Sequence, residues 1–237
     1  GAAAYFAALG GQQAGPFALG AGADCSFTPD DNGTYVITLV VWDNGGGAAM
    51  ARQTIVVTNI APLAAIAGAP ANSPEGTPIS LDSDITDPGS ADTFTHAWSV
   101  TKNGLPFATG TAAAFAFTPD DNGSYVVSLT VTDDDGGVGT APSQTTAVTN
   151  VAPVAAIAGL PVASVEGAHI AVTSMCSDVG PLDTFTYSWS VTKNGAPFAG
   201  GAAADFAFTP DDNGAYAVTL VATDKDGGTA TDTETVA

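Results

Sequence analysis

The chain has 237 residues, 24 acidic side chains against 4 basic ones, and a formal net charge of −20. Its lysines and arginines are Arg52, Lys102, Lys193 and Lys225, too few for the basic patch that nucleic acid or an anionic membrane surface requires, so neither is a partner. No apolar run approaches the roughly 18 residues of a membrane helix, which excludes membrane insertion in this stretch.

Taken in order, residues 1–60 read as only the second part of a repeat. Residues 3–9 stand where the next repeat has its Phe94 strand, and Gly15-Pro16-Phe17 aligns with Leu105-Pro106-Phe107. A turn at Phe27 and a strand pair ending at Asn59 follow. The opening strands of this unit are either part of a longer polypeptide from which the chain is cut or supplied by a neighbouring chain through β-augmentation. Residues 61–151 form a complete repeat. Pro62 breaks the chain and holds Ala61 extended; Leu63 to Ala67 is a first strand, and Gly68 to Gly76 a loop. Ile79 to Ile85 alternates apolar and polar residues, the pattern of a strand with one wet face. Phe94 to Val100 carries Trp98, Lys102-Asn103-Gly104 signals a hairpin, and Ala113 to Phe117 leads into a turn. Tyr125 to Val131 is the next strand, Asp133 to Gly137 a reversal, and Thr146 to Asn150 the closing strand. Residues 152–237 copy this order, with Trp98 and Trp189 standing 91 residues apart. The Ala-rich stretches are interrupted by Gly, Pro or β-branched residues, so no helix of useful length is expected.

The most regular stretch returns three times, at Phe27–Leu39, Phe117–Leu129 and Phe208–Leu220. Each copy has Pro-Asp-Asp-Asn-Gly, a turn in which Pro presets φ, Asp and Asn cap their own backbone and Gly takes positive φ. Each then enters an alternating strand on Tyr35, Tyr125 or Tyr216. Asp-x-Gly-x-Tyr before such a strand resembles the tyrosine corner of immunoglobulin-like sandwiches, and Trp98 and Trp189 occupy the place of their core tryptophan. These five aromatic residues are the expected structural anchors. The combination of Glu75-Gly76, Thr86 to Asp92, Trp98-Ser99-Val100, Phe117 to Gly123, Asp133 to Gly137 and Val148-Thr149-Asn150 is similar to the PKD-type repeats of bacterial surface and secreted proteins. Members often follow the tryptophan with Asp-Phe-Gly-Asp-Gly; here Ser-Val-Thr-Lys-Asn-Gly stands there, so a role tied to that loop does not carry over. The resemblance implies an all-β chain of tandem immunoglobulin-like sandwiches, spacer or adhesive modules without catalysis of their own.

The residues agree on the absence of catalysis. His96 and His169 have no counterpart in the other repeat and no Ser or Cys beside them in a nucleophile motif. The paired acids recur at every repeat, as turn chemistry does. They also suit Ca²⁺, which takes six to eight oxygen donors at about 2.3–2.6 Å. In sandwich topology Asp87, Asp92, Asp133 and Asp135 of the second repeat, and Asp178, Asp183, Asp224 and Asp226 of the third, meet at one end. Glu75 and Glu166 start strands that reach the same end, and the preceding corner presents Asp120 and Asp121 to it. Asn32 and Asn122 lie in glycosylation sequons, although Asn213-Gly214-Ala215 is not one, so the turn needs Asn-Gly before any glycan does. Phe17, Phe107 and Phe198 follow proline in one turn region and are expected to pack rather than form a binding strip. Cys25 and Cys176 align with core apolar positions and are expected as buried thiols. The expected function is an extracellular structural repeat protein, a stalk, adhesin shaft or fibre at a bacterial cell surface, whose partners are neighbouring repeats, identical chains in a filament, or glycans. The alternative is a set of accessory carbohydrate- or protein-binding modules of a secreted hydrolase.

Overall fold

The computed structural model describes residues 3–9, 18–21 and 24–237, and every regular element among them is a β-strand. In the first unit β1 (Ala3–Leu9), β2 (Ala18–Ala21), β3 (Gly33–Trp42) and β4 (Ala48–Val57) form one antiparallel sheet in the order β2-β1-β3-β4. No second sheet of this unit is found among the described residues. The alternation of β3 therefore buries little beyond Tyr35, and β4 is exposed along most of its length. Cys25 departs from expectation for the same reason: it is exposed. Its counterpart Phe115 stacks on Trp98, whereas the strand register puts Phe6, paired with Leu39, at the position that Trp98 takes opposite Leu129, so there is no indole to cover the thiol.

The second unit runs through β5 (Leu63–Ala67), β6 (Asn72–Pro74), β7 (Ile79–Thr86), β8 (Phe94–Lys102), β9 (Leu105–Gly110), β10 (Ala114–Phe117), β11 (Gly123–Asp133), β12 (Val138–Thr140) and β13 (Gln144–Thr149). They make two layers: β10-β7-β5, and β6-β13-β11-β8-β9 with β12 also paired to β11. Successive side chains of a strand point to opposite faces, and β11 follows this strictly. Tyr125, Val127, Leu129 and Val131 face inward and are fully buried, against Trp98 and Val100 from β8 and Ile79 and Leu81 from β7. Full burial of a Val or Leu side chain contributes about 1.5–3 kcal/mol, so this strand is the centre of the unit. The stretch read as a loop before Glu75 contains the short β6, which runs parallel to β13. Three residues ending in proline show no alternation, which is why the pattern misses it.

The third unit repeats the plan with β14 (Val154–Ala158), β15 (Ile170–Ser177), β16 (Phe185–Lys193), β17 (Ala196–Gly201), β18 (Asp205–Phe208), β19 (Tyr216–Asp224) and β20 (Thr229–Val236). Its layers are β14-β15-β18 and β17-β16-β19-β20, closed on Trp189, Val218, Leu220 and Val236. In both units the hairpin after the tryptophan strand is turned by Asn-Gly with both residues at positive φ, 51° and 82° at Asn103-Gly104 and 53° and 85° at Asn194-Gly195. This twist suits the flanking strands, and Asn and Gly adopt it with little strain.

Candidate cation sites at the module junctions

Each Pro-Asp-Asp-Asn-Gly turn is held by the tyrosine that follows it. The Tyr125 hydroxyl donates toward Asp120 Oδ1 and the Asp121 carbonyl, both at 2.9 Å, and Tyr35 and Tyr216 repeat the arrangement. Burial, followed by the bond to Asp120, pushes the Tyr125 phenol up to about 12. Lys102 Nζ donates to the same Asp120 oxygen at 2.8 Å. Burial raises the Asp120 carboxyl, but the bonds from Lys102 and Tyr125 outweigh it and leave the group below its usual range. Asp120 is thereby a corner brace and does not join a junction cluster; in sequence it cannot be told from Asp121, which does.

At the first junction the corner of unit one meets two loops of unit two. Ala91 N donates to the Asp30 carbonyl at 3.0 Å and Asn32 Nδ2 to Asp135 Oδ1 at 3.1 Å. From the linker, Asn59 Nδ2 donates to Asp133 Oδ2 at 2.9 Å. Asp133 also accepts from the N–H groups of Gly137 and Asp135; with the Asn59 bond first, these hold its carboxyl below the usual range against burial. Asp133 is thus internally satisfied, and the free oxygens belong to its neighbours. Asp31, Asp92 and Asp135 bring one oxygen each within 4.8 Å of one another, and Asp87, Asp92 and Asp133 do the same. Asp87 Oδ2, Asp92 Oδ1 and Asn32 Oδ1 are inaccessible to solvent and have no hydrogen-bond partner. A cavity of about 80 Å³ lies between Asp31, Asn32, Asn59 and Asp92. Burial, then the charges of Asp87, Asp31, Asp133 and Asp134, push Asp92 up to about 6. Unpaired oxygens of hard-donor type around a small polar space are what a Ca²⁺-sized ion requires.

The second junction has the same frame. Asn150 Nδ2 donates to Asp224 Oδ2 at 2.8 Å, so Asp224, like Asp133, is braced within its own loop. Oriented toward its acceptors, the Asn122 amide donates to Asp226 Oδ2 at 3.2 Å and Asp121 Oδ1 at 2.6 Å. Glu75, expected at the same end of its unit as Asp87 and Asp92, lies at the opposite end, within 4.8 Å of Asp121 and Asp183. The reason is β6, which carries the chain along β13 to the corner end before Glu75 is reached. Glu75 is only 1% exposed; Oε1 accepts from Val151 N at 2.7 Å and Oε2 has no partner. Burial raises its carboxyl, opposed by the Val151 bond and reinforced by the charges of Asp183, Asp178 and Asp121. Gly76, at φ 70°, presses on Val179, and a Cβ there would come within 2.9 Å of the valine. Glu166 occupies the matching position of unit three, beside Asp212 and Asn213 in a cavity of about 260 Å³, away from both junctions.

The other expected sites resolve more simply. Asn32 and Asn122 are half-buried at the junctions with their amides engaged, so neither sequon presents a free side chain. Phe107 packs edge-on against Tyr125 at 5.1 Å, and Phe198 likewise against Tyr216; Phe17 lies outside the described residues. His96 Nε2 pairs with Ser83 Oγ at 3.0 Å between the two layers. Sequence reading missed the tethers Asn59 and Asn150, although Val-Thr-Asn recurs, and Asp31, Asp134 and Lys225.

The sequence profile of the PKD domain matches residues 59–149 and again 150–237. The chain belongs to the PKD-domain family. PKD modules are typically non-catalytic and typically extracellular, and no helix among the described residues is long and apolar enough to cross a membrane. Tandem PKD modules of this kind suggest a structural or binding repeat protein. No curated protein matches the chain in sequence. Among solved structures it is similar to the fibronectin(III)-like modules of Clostridium thermocellum CbhA, at 14% identity over 73% of this chain and 93% of that one, with a TM-score of 0.31. It is also similar to an amphioxus IgVJ-C2 molecule, at 16% identity over 69% of this chain and 98% of that one, TM-score 0.38. A third likeness is to the N-terminal eight Ig domains of Down Syndrome Cell Adhesion Molecule, at 15% identity over 99% of this chain and 32% of that one, TM-score 0.38.

Proposed function

We propose that this chain is a length of extracellular stalk, adhesin shaft or fibre at a bacterial cell surface, in which PKD modules docked end to end set reach and direction and a divalent cation, Ca²⁺, stiffens the joints. The observation that carries it is the repeated tether: Asn59 and Asn150, one in each linker, bond the braced aspartate of the following module at 2.9 and 2.8 Å. A linker bonded in this way leaves little slack, and backbone contacts at Ala91 and Val151 close each joint further. The exposed surface supports elongation. The chain exposes 12886 Å², about a third more than the ~9,700 Å² that a compact monomer of its mass would show. The carboxylates with unpaired buried oxygens at the joints supply the hard donor set that Ca²⁺ takes.

Small-angle scattering tests the rod. A compact chain of this length has a radius of gyration of about 18 Å, whereas two and a half docked modules of about 40 Å each, from strands of about 3.3 Å per residue plus loops, give about 30 Å. A value near 30 Å in Ca²⁺ is expected, and a value near 18 Å removes the reading.

A further inference from the structure

The two junctions share one frame and differ in charge at two places: Glu75 stands at the second alone, and one loop residue changes sign. The loop Asp133-Asp134-Asp135 of the second module corresponds to Asp224-Lys225-Asp226 in the third. Lys225 Nζ reaches Asp121 Oδ1 at 2.9 Å, Asp183 Oδ1 at 2.5 Å and Asp226 Oδ2 at 2.8 Å. These carboxylates come from both modules, and the Asp183 side chain is fully buried. The corresponding trio at the first junction, Asp31, Asp92 and Asp135, converges with no ammonium among it. Among the described residues no lysine or arginine nitrogen lies within 4.0 Å of these three. Asp134 itself turns aside, accepting from Thr93 N at 2.9 Å, and leaves the cavity of about 80 Å³ beside Asp31 and Asp92.

We propose that Lys225 is the protein's own counter-ion, an ammonium that takes at the second junction the place a divalent cation takes at the first. This rests on the cation reading above and narrows it, within this chain, to the first of the two joints: that joint opens when the ion is withdrawn, and the other does not. The physical reason is exchangeability. A Ca²⁺ ion held by carboxylate and amide oxygens leaves when free Ca²⁺ falls, whereas a lysine is covalently part of the joint. Lys225 also leaves room for more positive charge. Glu75 Oε2, Asp178 Oδ2 and Asp183 Oδ2 stay buried and unpartnered beside it, because the three donors of the ammonium are already taken by Asp121, Asp183 and Asp226. Replacing Lys225 by aspartate rebuilds the loop of the first junction and converts the second into an ion site.

The test is calorimetric titration of Ca²⁺ into the metal-stripped full chain and its Lys225→Asp and Lys225→Gln variants, with circular dichroism to verify folding. One ion in the unmodified chain and two in either folded variant is the expected result. Two ions in the unmodified chain, or an equal count in chain and variant, overturns the proposal, as does an ion that appears only in the variant. Hydrogen exchange of the unmodified chain gives an answer independent of the variants. On chelation the Ala91 amide, which bonds across the first junction, should exchange at least 10-fold faster while the linker amide of Val151, which bonds Glu75 at the second, keeps its rate. Equal acceleration of both, or of neither, overturns the proposal. No Ca²⁺ binding in any of the chains removes the cation reading as well and leaves the scattering test of the rod untouched.

Discussion

Replacing Tyr125 by phenylalanine isolates one hydroxyl at the centre of the second module. The ring stays in place, edge-on to Phe107 at 5.1 Å and stacked with Phe117 at 5.9 Å, so the packing contribution is retained. What is lost is the bond to the ionised Asp120 and the contact with the Asp121 carbonyl. A hydrogen bond to a charged partner contributes about 1.5–3 kcal/mol. Asp120 keeps Lys102 at 2.8 Å, and its side chain is 32% exposed, so the carboxylate left behind is still solvated and paired. That places the loss in the lower part of the range, about 2 kcal/mol, or roughly 8–16 °C in the melting temperature of a module of this size. The assay is urea denaturation read by hydrogen exchange of β11 peptides, which reports on the second module alone. A loss below about 0.5 kcal/mol would refute the idea that the corner is held through its hydroxyl. The same variant has a pH signature. Because the folded phenol is raised to about 12, its contribution is complete below the unfolded value of about 10 and is lost as pH climbs from there toward 12. The alkaline fall of the unmodified module should therefore be reduced in Tyr125→Phe.

Trp189→Ala should destabilise the third module by about 3–5 kcal/mol, the usual range for removing a buried tryptophan, since the indole is 2% exposed, donates to the Ala203 carbonyl and stacks on Phe206; thermal unfolding by circular dichroism reads it. Gly180→Ala should open the second junction while the third module keeps its fold, because the new Cβ would run into the Asp183 carboxylate and stand 3.0 Å from that of Glu75; faster exchange at Val151 with an unchanged melting temperature is the expected result. At neutral pH a maleimide should label Cys25 at least 10-fold faster than Cys176, because Cys25 is exposed whereas burial shields the Cys176 thiol and pushes its pKa up.

Much of this architecture is legible along the chain. Period-two alternation around Tyr125, Val127, Leu129 and Val131 marks the central strand, the Asn-Gly pairs mark the hairpins, and the recurrence of Trp98 as Trp189 marks the repeat. These are local signals, set by backbone geometry and by which face of a strand is apolar. The excess of aspartate likewise announces hard-donor chemistry without placing it. Placement depended on contacts between residues far apart in sequence. Glu75 moved to the opposite end of its module because β6 pairs with β13, 75 residues on, and no local pattern encodes a parallel pairing of three residues. Asp120 and Asp121 are neighbours of identical type, yet one braces a tyrosine and the other meets Lys225, because successive side chains leave a turn in different directions. Cys25 aligns with a buried phenylalanine but is exposed, since alignment records position and not what stands opposite. Composition and periodicity alone determined that this is a string of acidic β-sandwiches; which carboxylates face one another across a joint, and which of them meet a lysine, was decided only when separate modules came into contact.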